Sequence, residues 1–143
     1  MTINQISIFI ENRKNALLEL TNVLAEHKIN VRALCLADTS DFGIARIIVD
    51  DPVPVQVALE RSAYIVKTTP VIALEIPDEA GSLNHILQIL ADGGRNVEYM
   101  YGFTGRKTNA AFMVIRTTDV QKTEEVLAAA GIRTVSQAEV PQL

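Results

Sequence analysis

Hydrophobic and polar positions alternate from the start of the chain. Ile6, Ile8 and Ile10 point one way in an extended segment, and Ser7, Phe9 and Glu11 point the other. The period then lengthens, and Leu17, Leu20, Val23 and Leu24 fall on one face of a helix. Sixty-six positions later the pattern recurs: Ile72, Leu74 and Ile76 alternate, and Leu83, Ile86, Ile89 and Leu90 take the helical spacing. Asn30-Val31 falls on Asn96-Val97 at the same offset. Each half predicts a first strand (about 4–10 and 71–76), a helix, a second strand (31–38 and 96–103) and a third (43–49 and 110–117). Polar, glycine-containing turns, DTSDFG and TGRKTN, join the second and third strands as hairpins. A second helix follows (53–62 and 119–130), starting after Pro52 in one half and ending at Gly131 in the other. A fourth strand closes each half (64–69 and 133–140). Pairing Ala45 with Ala111 keeps the offset through the third strand, and a length difference in the second helix then breaks it.

The order β-α-β-β-α-β is that of a ferredoxin-like unit, so the fold class is α+β with two such units side by side, helices on one face of the sheets. The expected domains are 1–69 and 70–143, with only Thr69-Pro70 between them and no flexible linker. Units of about 70 residues are marginal alone and gain by packing together. The face without helices carries Ser7, Phe9, Val71, Ala73 and Glu75, a mixed set that predicts partial burial against another chain and hence a homodimer.

Charge narrows the function. A net charge of −4 disfavours non-specific nucleic-acid binding, which needs a basic footprint. The single Cys35 excludes an internal disulfide framework and, inside an apolar run, reads as a buried small hydrophobe. The first residues lack the features of a secretory leader, and no apolar run reaches the length of a membrane helix, so the expectation is a cytoplasmic protein without a membrane partner.

The stretch Asp78-Glu79-Ala80-Gly81-Ser82-Leu83 stands where a strand gives way to a helix. With the repeated unit order and the Asn-Val opening of both second strands, this D-x-x-G-x-L loop resembles that of ACT domains in tandem. The resemblance covers nearly the whole chain. It implies regulatory modules that bind amino acids where two such domains meet, with the ligand between the loop after strand one and the start of strand two. Carried over, the ligand contacts in the second half are the loop residues Asp78, Glu79, Ala80, Gly81, Ser82 and Leu83, with Asn96. In the first half they are Asn12, Asn15, Ala16, Leu17 and Asn30, with Asn12 in place of the acid and Asn15 in place of the glycine. The resemblance also implies no cofactor, no metal and no catalysis, and an unidentified enzyme or regulator as partner.

Those residue types suit a zwitterion. A helix N-terminus offers unpaired N–H groups and positive potential to a carboxylate. Gly81 lets a ligand approach the backbone, Asp78 accepts from an ammonium, and Asn96 donates and accepts. The structural alternative stays open: Asp78 or Ser82 caps the helix, worth about 1 kcal/mol, and Gly81 only permits the turn. Asn30 and Asn96 are equally at home as turn residues after a helix.

Tyr99, Tyr101 and Phe103 share one face of the second strand, opposite in the repeat to Ala33, Cys35 and Ala37. Complementary packing explains this, and so does a wall that stacks a planar ligand, an aromatic amino acid or histidine, with Tyr99 or Tyr101 as the contact. Against an enzyme stand the absence of metalloprotease, paired-cysteine and nucleotide-loop motifs. His27 suits a helix end, and His85, one turn into its helix, reads as a surface residue, with an approach to the loop as a ligand contact the alternative. Against an RNA-binding module of the same strand order, Ile44 and Ile47 occupy positions where stacking aromatics are needed. A regulatory subunit with no ligand of its own remains the rival to the sensor.

Overall fold

The computed structural model describes residues 1–103 and 105–143; Thr104, first residue of the second expected hairpin turn, lies outside the described residues. The chain divides into two compact units, residues 4–69 and residues 70–143 with Met1–Ile3. Both are built on the expected βαββαβ plan.

The first unit contains β1 (Ile3–Glu11), α1 (Ala16–Glu26), β2 (Val31–Asp38), β3 (Phe42–Val49) and α2 (Pro52–Arg61), and runs into β4 (Ile65–Pro77). β1 lies antiparallel to β3, with Ile6 opposite Ile47 and Ile8 opposite Ala45. β2 pairs with β3 as a hairpin. Period-two spacing sends Ile6, Ile8 and Ile47 to the helix side, where they meet Leu20 and Leu24 of α1 and Leu59 of α2. All six are at most 2% exposed. Each such burial contributes about 1.5–3 kcal/mol, so the core rather than helix propensity holds α1 in place.

The second unit takes the later part of β4, then α3 (Ser82–Asp92), β5 (Val97–Phe103), β6 (Ala110–Thr117), α4 (Val120–Ala129) and β7 (Thr134–Val135). Ile72 lies opposite Ile115 and Leu74 opposite Met113. Their helix-side core is closed by Ile86 and Leu90 of α3 and Leu127 of α4.

Four expectations change. The strands expected at 64–69 and 71–76 are one unbroken strand, Ile65–Pro77. Pro70 has no N–H to give a ladder, but its fixed φ suits extended chain, so it interrupts nothing. The fourth strand expected at 133–140 is only Thr134–Val135, followed by a 3₁₀ helix over Gln137–Gln142. Ser136 and Glu139 form a capping box that turns the chain, with Glu139 Oε2 accepting from Ser136 N–H and Oγ–H at 2.8 Å each. The third change concerns the repeat offset. Ile8 faces Ala45 while Leu74 faces Met113, so the counterpart of Ala45 is Met113 and not Ala111. The second helices have ten residues each, and the offset of 66 becomes 68 at the β5–β6 hairpin instead.

The fourth change is on the helix-free face. Val71, Ala73 and Val114 are 0% exposed within the single chain. These second-unit positions are covered within the chain, whereas Phe9 on the corresponding face of the first unit is 49% exposed. Cys35 is half-buried on β2 rather than enclosed.

Among the described residues the four α-helices stop in the same way. A left-handed residue follows the last turn: Lys28 (φ 55°), Ala63 (66°), Gly94 (65°) and Gly131 (71°). The next residue's N–H returns to a carbonyl five positions back, as from Ile29 to Leu24 (2.9 Å) and from Ile132 to Leu127 (3.0 Å).

Candidate functional site

The helix starts fall into two kinds. α2 and α4 are capped by side chains: Asp51 accepts from Val53 N–H at 3.3 Å, and Asp119 from Lys122 N–H at 3.1 Å. α1 and α3 have no side-chain cap, and each is preceded by a left-handed residue, Asn15 (φ 69°) and Gly81 (φ 91°). The structural alternative for Asp78 and Ser82 is therefore not realised: neither caps α3. Asp78 instead gives its backbone N–H to the Asn109 carbonyl at 3.0 Å, which fastens the loop to the β5–β6 hairpin. The first turn of α3 presents N–H groups that the helix cannot satisfy internally.

Ser82 N–H turns back to the Glu79 carbonyl at 3.3 Å, and the loop and the start of the helix border a cleft of about 460 Å³. Its walls are the end of β4 at Glu75–Pro77, the loop at Glu79–Ser82, His85 and Ile86 of α3, and Gly131–Arg133 beyond α4. Four of the expected contacts, Glu79, Ala80, Gly81 and Ser82, thus come together. Leu83 is 41% exposed and, like Asp78, is not part of the wall.

Two polar residues of the cleft, Glu75 and Arg133, escape the sequence reading as contacts. Both fall in expected strands, whereas His85, read as a surface residue with a ligand contact as the alternative, lines the cleft. The usable signal lay in the repeat: Glu75 stands where the first unit has Phe9, and Arg133 where it has Ile65, charges in place of apolar residues. Arg133 Nη1 donates to Glu75 Oε2, and its Nη2 to Glu139 Oε1 at 2.6 Å. Lys107 donates to the other oxygen of Glu75. The Lys107 hydrogen bond, with the nearby charges of Arg133 and Lys107, outweighs burial and holds the Glu75 carboxyl below the usual carboxylate range.

The remaining expected contacts are placed elsewhere. Pro77 pairs with Ala110 at one end of the ladder, whereas Val97 pairs with Thr117 at the other. Asn96, one residue before Val97, is therefore roughly 20 Å from the loop at strand spacing. Asn30 and the β1–α1 loop are separated in the same manner, since Val31 pairs with Val49 and Glu11 with Phe42. One unit alone does not bring loop and second-strand start to one molecule. Tyr99 and Tyr101 pair with Arg116 and Val114, on the face away from the helices. Tyr101 is only 8% exposed there, as packing requires. Neither tyrosine reaches the mouth of α3.

In the first unit a cleft of about 240 Å³ occupies the matching position, lined by Phe9–Glu11, Arg13, Ala16, Glu19, Phe42 and Ala63–Ile65. Asn12 is turned away, with Nδ2 donating to the Thr39 carbonyl at 3.0 Å. Leu17, with Asn12 and Ala16, borders a hollow of only about 70 Å³. Among the described residues no His, Cys, Asp and Glu side chains cluster to hold a metal ion, and no helix is long and apolar enough to cross a membrane.

The family model of the ACT domain pair matches residues 1–143. The chain belongs to that family. Among solved structures, a protein from Bacteroides thetaiotaomicron is 38% identical over 100% of this chain and 98% of its own, with a TM-score of 0.92. The regulatory subunit of aspartate kinase from Thermus thermophilus, in a ligand-free form, is 18% identical, with a TM-score of 0.64 over 90% of each chain. That from Thermus flavus is also 18% identical, with a TM-score of 0.62 over 90% of this chain and 92% of that one. These two share the fold of the ACT pair. No curated protein matches by sequence. In this ACT pair, then, the loop that carried the family likeness also borders the larger cleft.

Proposed function

We propose that this ACT pair is a non-catalytic sensor that binds a free amino acid at the mouth of α3 and passes the signal to a partner protein in amino-acid metabolism. The observation that carries the reading is the uncapped start of α3 bordering the 460 Å³ cleft. A carboxylate bound there meets backbone N–H groups and the positive end of the helix dipole. Glu79, on the same wall, is placed to take the ammonium, and Ile86 and Ile132 offer apolar surface to the side chain. The tyrosines stand away from this cleft, so nothing in its wall favours an aromatic ligand over others. The regulatory subunits of aspartate kinase that share the fold support a regulatory role without supplying a ligand or partner for this chain. Asn96 and Asn30 enter the reading only if a second copy presents them, in which case the working form is a homodimer.

Thermal denaturation in the presence of each of the twenty common amino acids tests the proposal. At least one is expected to raise Tm, since a ligand at 100 times its Kd stabilises the folded state by about 2.7 kcal/mol. Gly81→Asn is expected to cancel that rise. If no amino acid shifts Tm, the sensor reading fails and a partner-binding module without a ligand takes its place.

A further inference from the structure

We propose that Arg133 is a latch between the larger cleft and the 3₁₀ segment Gln137–Gln142, so that filling the cleft holds that segment against the helix-free face of the second unit. The regulatory meaning rests on the sensor reading above; the mechanical link does not.

The segment follows β7, whose Val135 pairs with Ala73, and there the chain leaves the ladder. Val140 is 0% exposed, which seats the segment on the unit. Glu139, Gln142 and Leu143 share a hollow of about 170 Å³ with Glu75, Phe112 and Arg133. Glu75 and Phe112 are ladder partners on the face away from the helices, so the segment lies along the end of that face. Its own backbone bonds run from Glu139 N–H to the Ser136 carbonyl at 3.0 Å and from Leu143 N–H to the Val140 carbonyl at 3.3 Å. Bonds of this 3₁₀ kind have poorer geometry than those of an α-helix. A segment so short opens more readily than the core it covers.

Arg133 touches both the cleft and the segment. It forms part of the cleft wall, and its Nη2 donates to Glu139 Oε1 at 2.6 Å. Its other arm is anchored: Nη1 donates to Glu75, which is 11% exposed and takes Lys107 on its second oxygen. The planar fork thus has one prong on a fixed carboxylate and one on the segment. The fold does not require this charge, since the first unit has Ile65 at the same position. Arg133 is itself 54% exposed, with the open space of the cleft beside it. While that space is empty the guanidinium has rotamers that leave Glu139, and holding it costs side-chain entropy. An occupant removes those rotamers, so the state with Glu139 held gains population. An ion pair at this exposure adds little to global stability; its effect is on the local opening of the segment. By linkage, the held segment favours an occupied cleft in return.

The test reads amide hydrogen exchange at Ser136, Glu139 and Leu143 with the cleft empty and filled. His85 lines the cleft, so His85→Cys in a Cys35→Ser background, capped with propyl methanethiosulfonate, fills it without any amino acid. Capping is expected to slow exchange at the three amides by about fivefold or more, the low end of ordinary coupling between sites. Arg133→Gln should exchange faster there from the outset, as any structural tie would predict, so the deciding readout is the response to capping, which this variant should lose. Glu139→Gln should lose it too while keeping the capping box, in which glutamine can stand for glutamate. Exchange unchanged by capping, or slowed equally in either latch variant, overturns the proposal. An amino acid that raises Tm should slow the same amides in the parent chain, and one that raises Tm without slowing them also overturns it. If no amino acid raises Tm, the sensor reading falls while the capped cysteine still decides the latch.

Discussion

Gly81 offers a perturbation whose energy can be worked out from the structure before it is measured. Its φ is 91°, and a Cβ built on it meets nothing within 4 Å. Substitution there therefore creates no clash with neighbours, and the whole cost is conformational. Holding an L-residue in the left-handed region costs about 1–2 kcal/mol. Replacing glycine by alanine returns about 0.4–1 kcal/mol by restricting the unfolded chain. Gly81→Ala should then lose about 1 kcal/mol. Gly81→Asn should lose less, because asparagine tolerates this region, as Asn15 does at φ 69° in the first unit. Gly81→Val should lose more than alanine, because a β-branched side chain is the poorest fit to positive φ. Urea denaturation followed by circular dichroism measures all three against the parent. The order Asn, Ala, Val in rising cost is the signature; an alanine variant as stable as the parent would show that the backbone at 81 is not held left-handed. The series also separates folding from binding: the asparagine variant stays folded, so loss of an amino-acid response in it reports on the mouth of α3.

Three further outcomes follow from the helix ends and the charge cluster. Asp119→Ala should cost about 1 kcal/mol by removing the cap of α4, while Ser82→Ala should stay within about 0.5 kcal/mol because Ser82 caps nothing; equilibrium unfolding of both checks this contrast. Ala63→Gly should stabilise the first unit by about 0.5–1 kcal/mol, the relief of left-handed strain less the added freedom of the unfolded chain, read as a higher urea midpoint. Glu75 has a folded pKa below the ordinary value of 4.5, so its contribution is complete above that value and is lost as pH falls through the lower folded pKa. Melting curves from neutral to acidic pH should show Glu75→Gln flattening that acid loss; an unchanged slope would mean that Lys107 and Arg133 do not stabilise the carboxylate.

The periodic features were legible in the sequence because each depends on residues near one another in the chain. Ile6, Ile8 and Ile10 alternate, Leu20 and Leu24 recur by a helical turn, and the offset of 66 joins both to their copies. The features that were not legible depend on pairing between distant segments. Only the ladder partners of Ile8 and Leu74 reveal that the third strands are offset by 68. The shortened seventh strand was hidden because Thr134, Val135 and Val140 fit an extended pattern, while the Ser136–Glu139 capping box, a local signal present in the sequence, was overlooked. For the site, the loop residues Glu79–Ser82, singled out by the resemblance to ACT domains, border the cleft. Arg133 and Glu75 were not singled out, since nothing in the sequence places a residue after α4 beside the end of β4. Asn96 was grouped with the loop by resemblance, and the parallel crossover through α3 puts it at the far end of the sheet.

The two halves of the chain, alike in their helices, differ in length at a hairpin tip. That tip is where this architecture has absorbed extra residues without moving a rung of its ladders. Arg106 lies there, exposed to solvent. A short peptide epitope spliced in after it would be displayed to solvent beside the two ties, Lys107 to Glu75 and Asp78 to Asn109, through which a change at this tip reaches the mouth of α3.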